Sequence, residues 1–152
     1  MKRLWLLAAV AAALSAPAAA AAQQGMGVGV IVGEPTGISF KTWLTPETAF
    51  DLAAAWSFVE EDAFHVHGDF LLHNNNAFPV DKGMALFYYG VGGRVKAERR
   101  DARVGIRIPL GAEYLFARQP IDLFLEVVPI LDIAPATDLT LNAGLGVRYF
   151  FH

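Results

Sequence analysis

Between Arg103 and Phe116 the chain reads RVGIRIPLGAEYLF, and its residues separate by parity. Val104, Ile106, Ile108, Leu110, Ala112, Tyr114 and Phe116 form one set; Arg103, Gly105, Arg107, Pro109, Gly111 and Glu113 form the other. LTLNAGLGVRYFF repeats the arrangement, with Leu139, Leu141, Ala143, Leu145, Val147, Tyr149 and Phe151 against Thr140, Asn142, Gly144, Gly146 and Arg148. In TAFDLAAAWSF, Phe50, Leu52, Ala54, Trp56 and Phe58 oppose Asp51 and small residues. Successive side chains of a strand point to opposite faces, so this period of two predicts strands that separate an apolar medium from a polar one. Strands are expected near 26–32, 36–44, 48–58, 63–73, 84–97, 102–116, 120–131 and 139–151. The intervening GEPT, TPE, VEED, NNNAFPVDKG, ERRD, ARQP and DIAPATD are rich in turn residues, and only Asn74 to Lys82 makes a connection of any length. Eight short, evenly spaced antiparallel strands predict an all-β, up-and-down barrel, a closure that leaves no sheet edge unpaired.

Alternation does not say which face is inside. The apolar faces carry about 35 bulky residues, whereas an eight-stranded barrel is only wide enough inside for its own side chains. The glycines point the same way. Gly27, Gly29, Gly37, Gly90, Gly92, Gly105, Gly111, Gly144 and Gly146 lie on the polar face, and only Gly68 and Gly93 on the other. A narrow lumen needs small residues beside its large charged ones; a face in water does not. The polar face is therefore expected inside and the apolar face outside, as in a transmembrane barrel. If the first strand starts in the periplasm, Phe50, Phe70, Tyr114, Phe116, Tyr149 and Phe151 fall at one rim and Trp56, Phe58 and Phe64 at the other. Aromatic girdles at both interfaces mark a spanning barrel, and the outward faces of these strands carry no charge where Arg or Lys would cost about 2–4 kcal/mol at the midplane.

The start of the chain adds a destination. Lys2 and Arg3 precede an apolar run from Leu4 to Leu14 and then Ala-rich sequence, the pattern of a cleaved signal peptide over residues 1–22, leaving a barrel over 23–152. The run is too short for a spanning helix. The 152 residues allow one domain, and 55% hydrophobic against 18% charged residues is greasier than a typical soluble domain. A net charge of −3 argues against nucleic-acid partners, and the absence of cysteine excludes disulfides, thiol catalysis and a lipid-anchored cysteine.

Candidate chemistry lies on the polar face. Lys41, Arg94, Lys96, Arg103, Arg107 and Arg148 nearly balance Asp51, Asp69, Glu113, Asp122 and Glu126. Buried charges are expensive unless paired, so a plug of ion pairs is expected, with His65, His67, Asn142 and Tyr88 filling gaps. AFHVHGDFLLH places His65, His67, Asp69 and His73 on one parity. His65 and His67 are two apart on one face and are candidate metal ligands, with Asp69 or a cross-strand carboxylate as a third. Such a pair alone is more often hydrogen-bonded within a polar lumen, so no metal or other cofactor is expected. His73, beside Asn74, Asn75 and Asn76, is expected at the rim. A serine–histidine–aspartate set from Ser57, His65 and Asp51 is conceivable by parity, Ser39 being the other inward serine. The histidines sit among opposing charges, however, and no catalysis is expected. The glycines of YYGVGGR are lumen spacers, because no helix follows them as a dinucleotide fingerprint requires.

IVGEPTGISFKTWL, YYGVGGRV, RVGIRIPLGAEYLF, DLFLEVVPILDIAP and LNAGLGVRYFF resemble a family of small bacterial outer-membrane barrels whose domain has no known function. They are more distantly similar to the OmpA/OmpX-like eight-stranded barrels. The resemblance covers nearly the whole chain after the signal and brings no catalytic residues. It implies a Gram-negative outer-membrane location, contact with the lipid bilayer and lipopolysaccharide, passage with periplasmic chaperones, and insertion by the barrel-assembly machinery. That machinery reads an aromatic-rich last strand, here Leu139 to Phe151 with Tyr149 and Phe151 as the signal; His152 departs from the usual terminal Phe. A porin-like conducting pore would need far more strands. The expected function is a structural, non-catalytic small barrel. The alternative is a soluble periplasmic lipocalin-like carrier with its greasy face inward around an apolar ligand. Loop-borne adhesion is a third reading, weakened by the shortness of GEPT, VEED, ERRD and DIAPATD.

Overall fold

The structure, a computed structural model, describes residues 25–34, 36–57, 63–98 and 101–151. The expected signal peptide, Phe58 and His152 lie outside the described residues. Nine strands follow one another: β1 (Met26–Glu34), β2 (Thr36–Trp43), β3 (Thr48–Ser57), β4 (Ala63–Phe78), β5 (Met84–Ala97), β6 (Ala102–Arg107), β7 (Leu110–Leu115), β8 (Ile121–Ala134) and β9 (Asp138–Phe151). Their Val-, Phe- and Leu-rich alternation suits a pleated surface with two different sides.

All pairings are antiparallel. The order β4-β3-β2-β1-β9-β8-β6-β5-β7, with added β4–β5 and β8–β7 pairings, makes the sheet ring-like. The first and last strands meet over Met26↔Phe151 to Glu34↔Ala143, and the ring joins again over Phe64↔Ala97 to Phe78↔Ala85. One end therefore carries the start of β1, the end of β9 and the turns after β2, β4 and β7 (the terminal end). The opposite, distal end carries the ends of β1, β3, β5 and β8 and the starts of β2, β4, β6 and β9.

The expected eight strands are corrected to nine, because the single segment 102–116 is interrupted at Ile108–Pro109. Proline has no N–H to give a ladder, so the strand cannot run through it unbroken. The wall stays joined there: Gly90 N donates to Pro109 O at 3.1 Å, and Ile108 N donates to Pro129 O at 3.0 Å. The long connection expected over 74–82 is corrected too. Strand β4 continues to Phe78 through an irregular register after Asn74, leaving a short turn in which Gly83 takes φ +70°. An added Cβ on Gly83 would run into Leu115 O and the Tyr114 ring, so the turn needs glycine for space and for conformation.

The two faces of the wall are inverted relative to a soluble domain. Val30, Ile38, Leu52, Val91, Leu125, Leu141 and Leu145 are exposed, whereas Lys41, Asp69, Arg94, Arg107, Glu113, Asp122 and Arg148 are buried. Aromatic pairs stud the exposed face: Tyr114–Phe116 and Tyr149–Phe151 towards the terminal end, and Trp56–Phe64 towards the distal one, with ring centroids 5.0, 6.4 and 6.3 Å apart.

Candidate functional site

Inward glycines make room for specific large neighbours. A Cβ on Gly111 would enter the Tyr88 ring, one on Gly146 the Phe124 ring, one on Gly92 the Asp69 carboxylate and one on Gly105 the Asp132 carboxylate. The interior is thus packed against bare backbone, as a narrow bore demands.

From the terminal end inward, the first layer is apolar. Trp43, Ala49, Leu86, Leu115 and Phe150 form a buried cluster with Met84 against it. The expectation of a polar lumen throughout is corrected here. Trp43 shares parity with Lys41, and Phe150 with Arg148, so the same alternation that places the charges places this floor. A second cluster, Ile31, Leu71, Tyr88 and Phe124, lines the bore further in.

Above the floor, Lys41 Nζ donates to Glu113 Oε2 at 2.6 Å and meets His73 Nε2 at 2.8 Å, while lying 4.2 Å from the Trp43 ring centroid. His73 Nε2 is 3.3 Å from Glu113, and its Nδ1 contacts Glu47 O at 3.1 Å. The rim placement expected for His73 is therefore corrected: with β4 extended to Phe78, His73 lies within a strand and faces inward. Arg148 grips Asp122 at 2.7 Å, donates to Ser39 Oγ at 3.5 Å, and stacks 4.0 Å over Phe124. Two cations and two carboxylates balance in this tier.

The next tier holds Asp51, His67, Asp69, Arg107, Glu126 and Tyr88. Arg107 Nε donates to both oxygens of Asp69, at 3.0 and 3.2 Å, and Arg107 Nη2 lies 3.7 Å from Glu126. Tyr88 Oη donates to Glu126 Oε2 at 2.8 Å. Asn142 borders a gap of about 10 Å³ beside His67, Arg107 and Glu126, room for about one water. Towards the distal end, Arg94 makes a two-pronged pair with Asp132, at 3.0 and 2.6 Å. His65 and Lys96 are buried there on paired positions of β4 and β5. Arg103, expected within the lumen network, joins it at its edge: its side chain is 34% exposed and sits 3.9 Å from the buried Asp132, 3.5 Å from Glu98 and 3.8 Å from Asp138.

Sequence reasoning missed Asp132, which lies one residue past the expected end of its strand yet shares parity with Asp122 and Glu126. The imagined catalytic set does not assemble. Ser57 and Asp51 are six residues apart on β3, hence about 20 Å apart along the strand. His65 and His67 do come together, ring centroids 5.1 Å apart, and Asp51, His67 and Asp69 offer ligand atoms all within 4.8 Å of one another. Tyr149 and Phe151, expected as an assembly signal, face outward on β9, paired with Val28 and Met26 of β1.

No protein-family model and no curated protein matches the chain, so the resemblance to the uncharacterised barrel family gains no support from sequence comparison. Among solved structures the chain is similar to the N-terminal β-barrel domain of Pseudomonas aeruginosa OprF. The TM-score is 0.57 at 15% identity, over 83% of this chain and 95% of that one. At that identity the likeness is one of fold: an antiparallel β-barrel.

Proposed function

We propose that this chain is a small outer-membrane barrel of eight staves, β6 and β7 forming one stave interrupted at Pro109, whose role is structural rather than catalytic. The observation that carries this reading is the inverted burial. A closed wall hides paired Lys, Arg, Asp and Glu while exposing a continuous belt of Val, Leu, Ile and aromatic residues. Water cannot favour that belt: it far exceeds the few hundred Å² of contiguous apolar surface that soluble monomers expose. Hydrocarbon can, and a closed wall leaves no backbone group unpaired within it. The OprF barrel likeness agrees with this location. The terminal end is then periplasmic, the apolar floor and ion tiers plug the bore, and the outward aromatics sit at the two interfaces. The lipocalin-like alternative needs an apolar cavity, whereas the bore here is lined by ion pairs around a gap of about 10 Å³.

Cell fractionation tests the reading. The mature chain is expected in the outer-membrane fraction, extractable only with detergent and migrating faster on gels when unboiled. Release by osmotic shock in soluble form would overturn it.

A further inference from the structure

Asp51 and Asp69 stand directly opposite each other on β3 and β4, both facing the interior. Like charges directly opposed across a strand pair repel, and burial sharpens the repulsion. Arg107 attends to Asp69 and reaches towards Glu126. Among the described residues no cation forms an ion pair with Asp51, and its Oδ1 is buried with no hydrogen-bond partner. His67 Nδ1 is likewise buried without a partner, and the residue is only 5% exposed. In formal charge, three carboxylates face one guanidinium in this tier, while the tier beneath sets Lys41 and Arg148 against Glu113 and Asp122.

We propose that Asp51, His67 and Asp69 form a binding site for one divalent cation of zinc's class. A mixed imidazole–carboxylate set suits a borderline cation better than magnesium or calcium, which take oxygen donors. A dication would offset the formal excess of carboxylates over guanidinium there. Its ligand atoms, now within 4.8 Å of one another, must close to about 3.4 Å for bonds of about 2.1 Å, a shift of side-chain torsions rather than of strands. Arg107 does not compete for the needed positions: it occupies one side of the Asp69 carboxylate, which has about four acceptor sites, and fixes its orientation as outer partners of metal ligands do. A gap of about 10 Å³ on the far side of His67, bordered also by Asn142, is large enough for one water beside the imidazole. This site belongs to the interior whatever medium surrounds the wall.

The test uses the mature full chain refolded in detergent micelles, stripped with chelator and dialysed against zinc alone or cobalt(II) alone. The expected result is about one metal per chain, a visible cobalt absorption band, and at least a tenfold loss of zinc affinity in Asp51→Asn and in His67→Gln. Asp51→Glu, which keeps the charge but displaces the oxygen, serves if Asp51→Asn does not fold; folding is checked by migration of unboiled samples. Wild-type protein that retains no zinc would overturn the proposal. So would folded variants at both positions binding as the wild type does, which would leave a proton shared by the two aspartates as the neutralising group.

Discussion

Replacing Glu113 with Leu isolates the energetics of the interior. Lys41 and Glu113 are both fully buried and 2.6 Å apart. At that distance their attraction is roughly 6 kcal/mol for an effective dielectric near 20, before the cost of taking both from water is deducted. The substitution removes the carboxylate but leaves the ammonium beside the Trp43 ring, with only the uncharged Nε2 of His73 as an acceptor and Arg148 close by. Breaking a buried pair from one side costs about 3–5 kcal/mol, equivalent to a roughly 150- to 4000-fold change in the folding constant. Urea titration of the chain refolded into micelles or vesicles reads this directly. A Lys41→Met, Glu113→Leu double variant removes both charges and should regain most of the loss, because similar-sized apolar pairs in place of buried ion pairs are often neutral. A single variant within about 0.5 kcal/mol of wild type would refute the idea that Lys41 depends on Glu113. A double variant no better than the single would place the cost in packing against Trp43.

Three further outcomes are expected. Arg94→Ala removes the two-pronged partner of buried Asp132, leaving it only Arg103 at 3.9 Å, and should destabilise by about 2 kcal/mol or more, whereas Arg103→Ala at the partly exposed rim should cost less than about 1 kcal/mol in the same titration. Gly111→Val drives a branched side chain into the Tyr88 ring and should abolish the fast-migrating folded band or shift the urea midpoint by several tenths of molar at least; an unchanged midpoint would show that the bore is looser than described. Leu125→Arg, mid-strand on the exposed face, should lower stability by about 2–4 kcal/mol in vesicles, and a neutral result there would argue against lipid on that face.

Parity in the sequence settled a great deal. The strands fall within a few residues of their expected places, except where β4 outruns its expected end and Pro109 splits a stave. Each of Lys41, Asp51, His65, His67, Asp69, Arg94, Lys96, Arg107, Glu113, Asp122, Glu126 and Arg148 is buried in the interior. Side-chain direction alternates along any strand, so once the crowding of bulky residues shows which face must be outside, every charge on the other face is assigned. The glycines were legible for the same reason, since only a narrow bore requires them opposite large side chains.

Depth and partnership were not legible. Nothing in one strand says that Arg148 meets Asp122 rather than Glu126, that Arg94 takes Asp132, or that Arg103 stops at the rim. Those pairings follow from the stagger between neighbouring strands and from which residues share a level across the bore, and both are properties of the closed ring. The same holds for Asp51, which looks in sequence like one more balanced charge and is left by the fold opposite another aspartate with a bare histidine nitrogen nearby. A period of two fixes the side on which a residue lies; only closure of the sheet fixes its height and its neighbour.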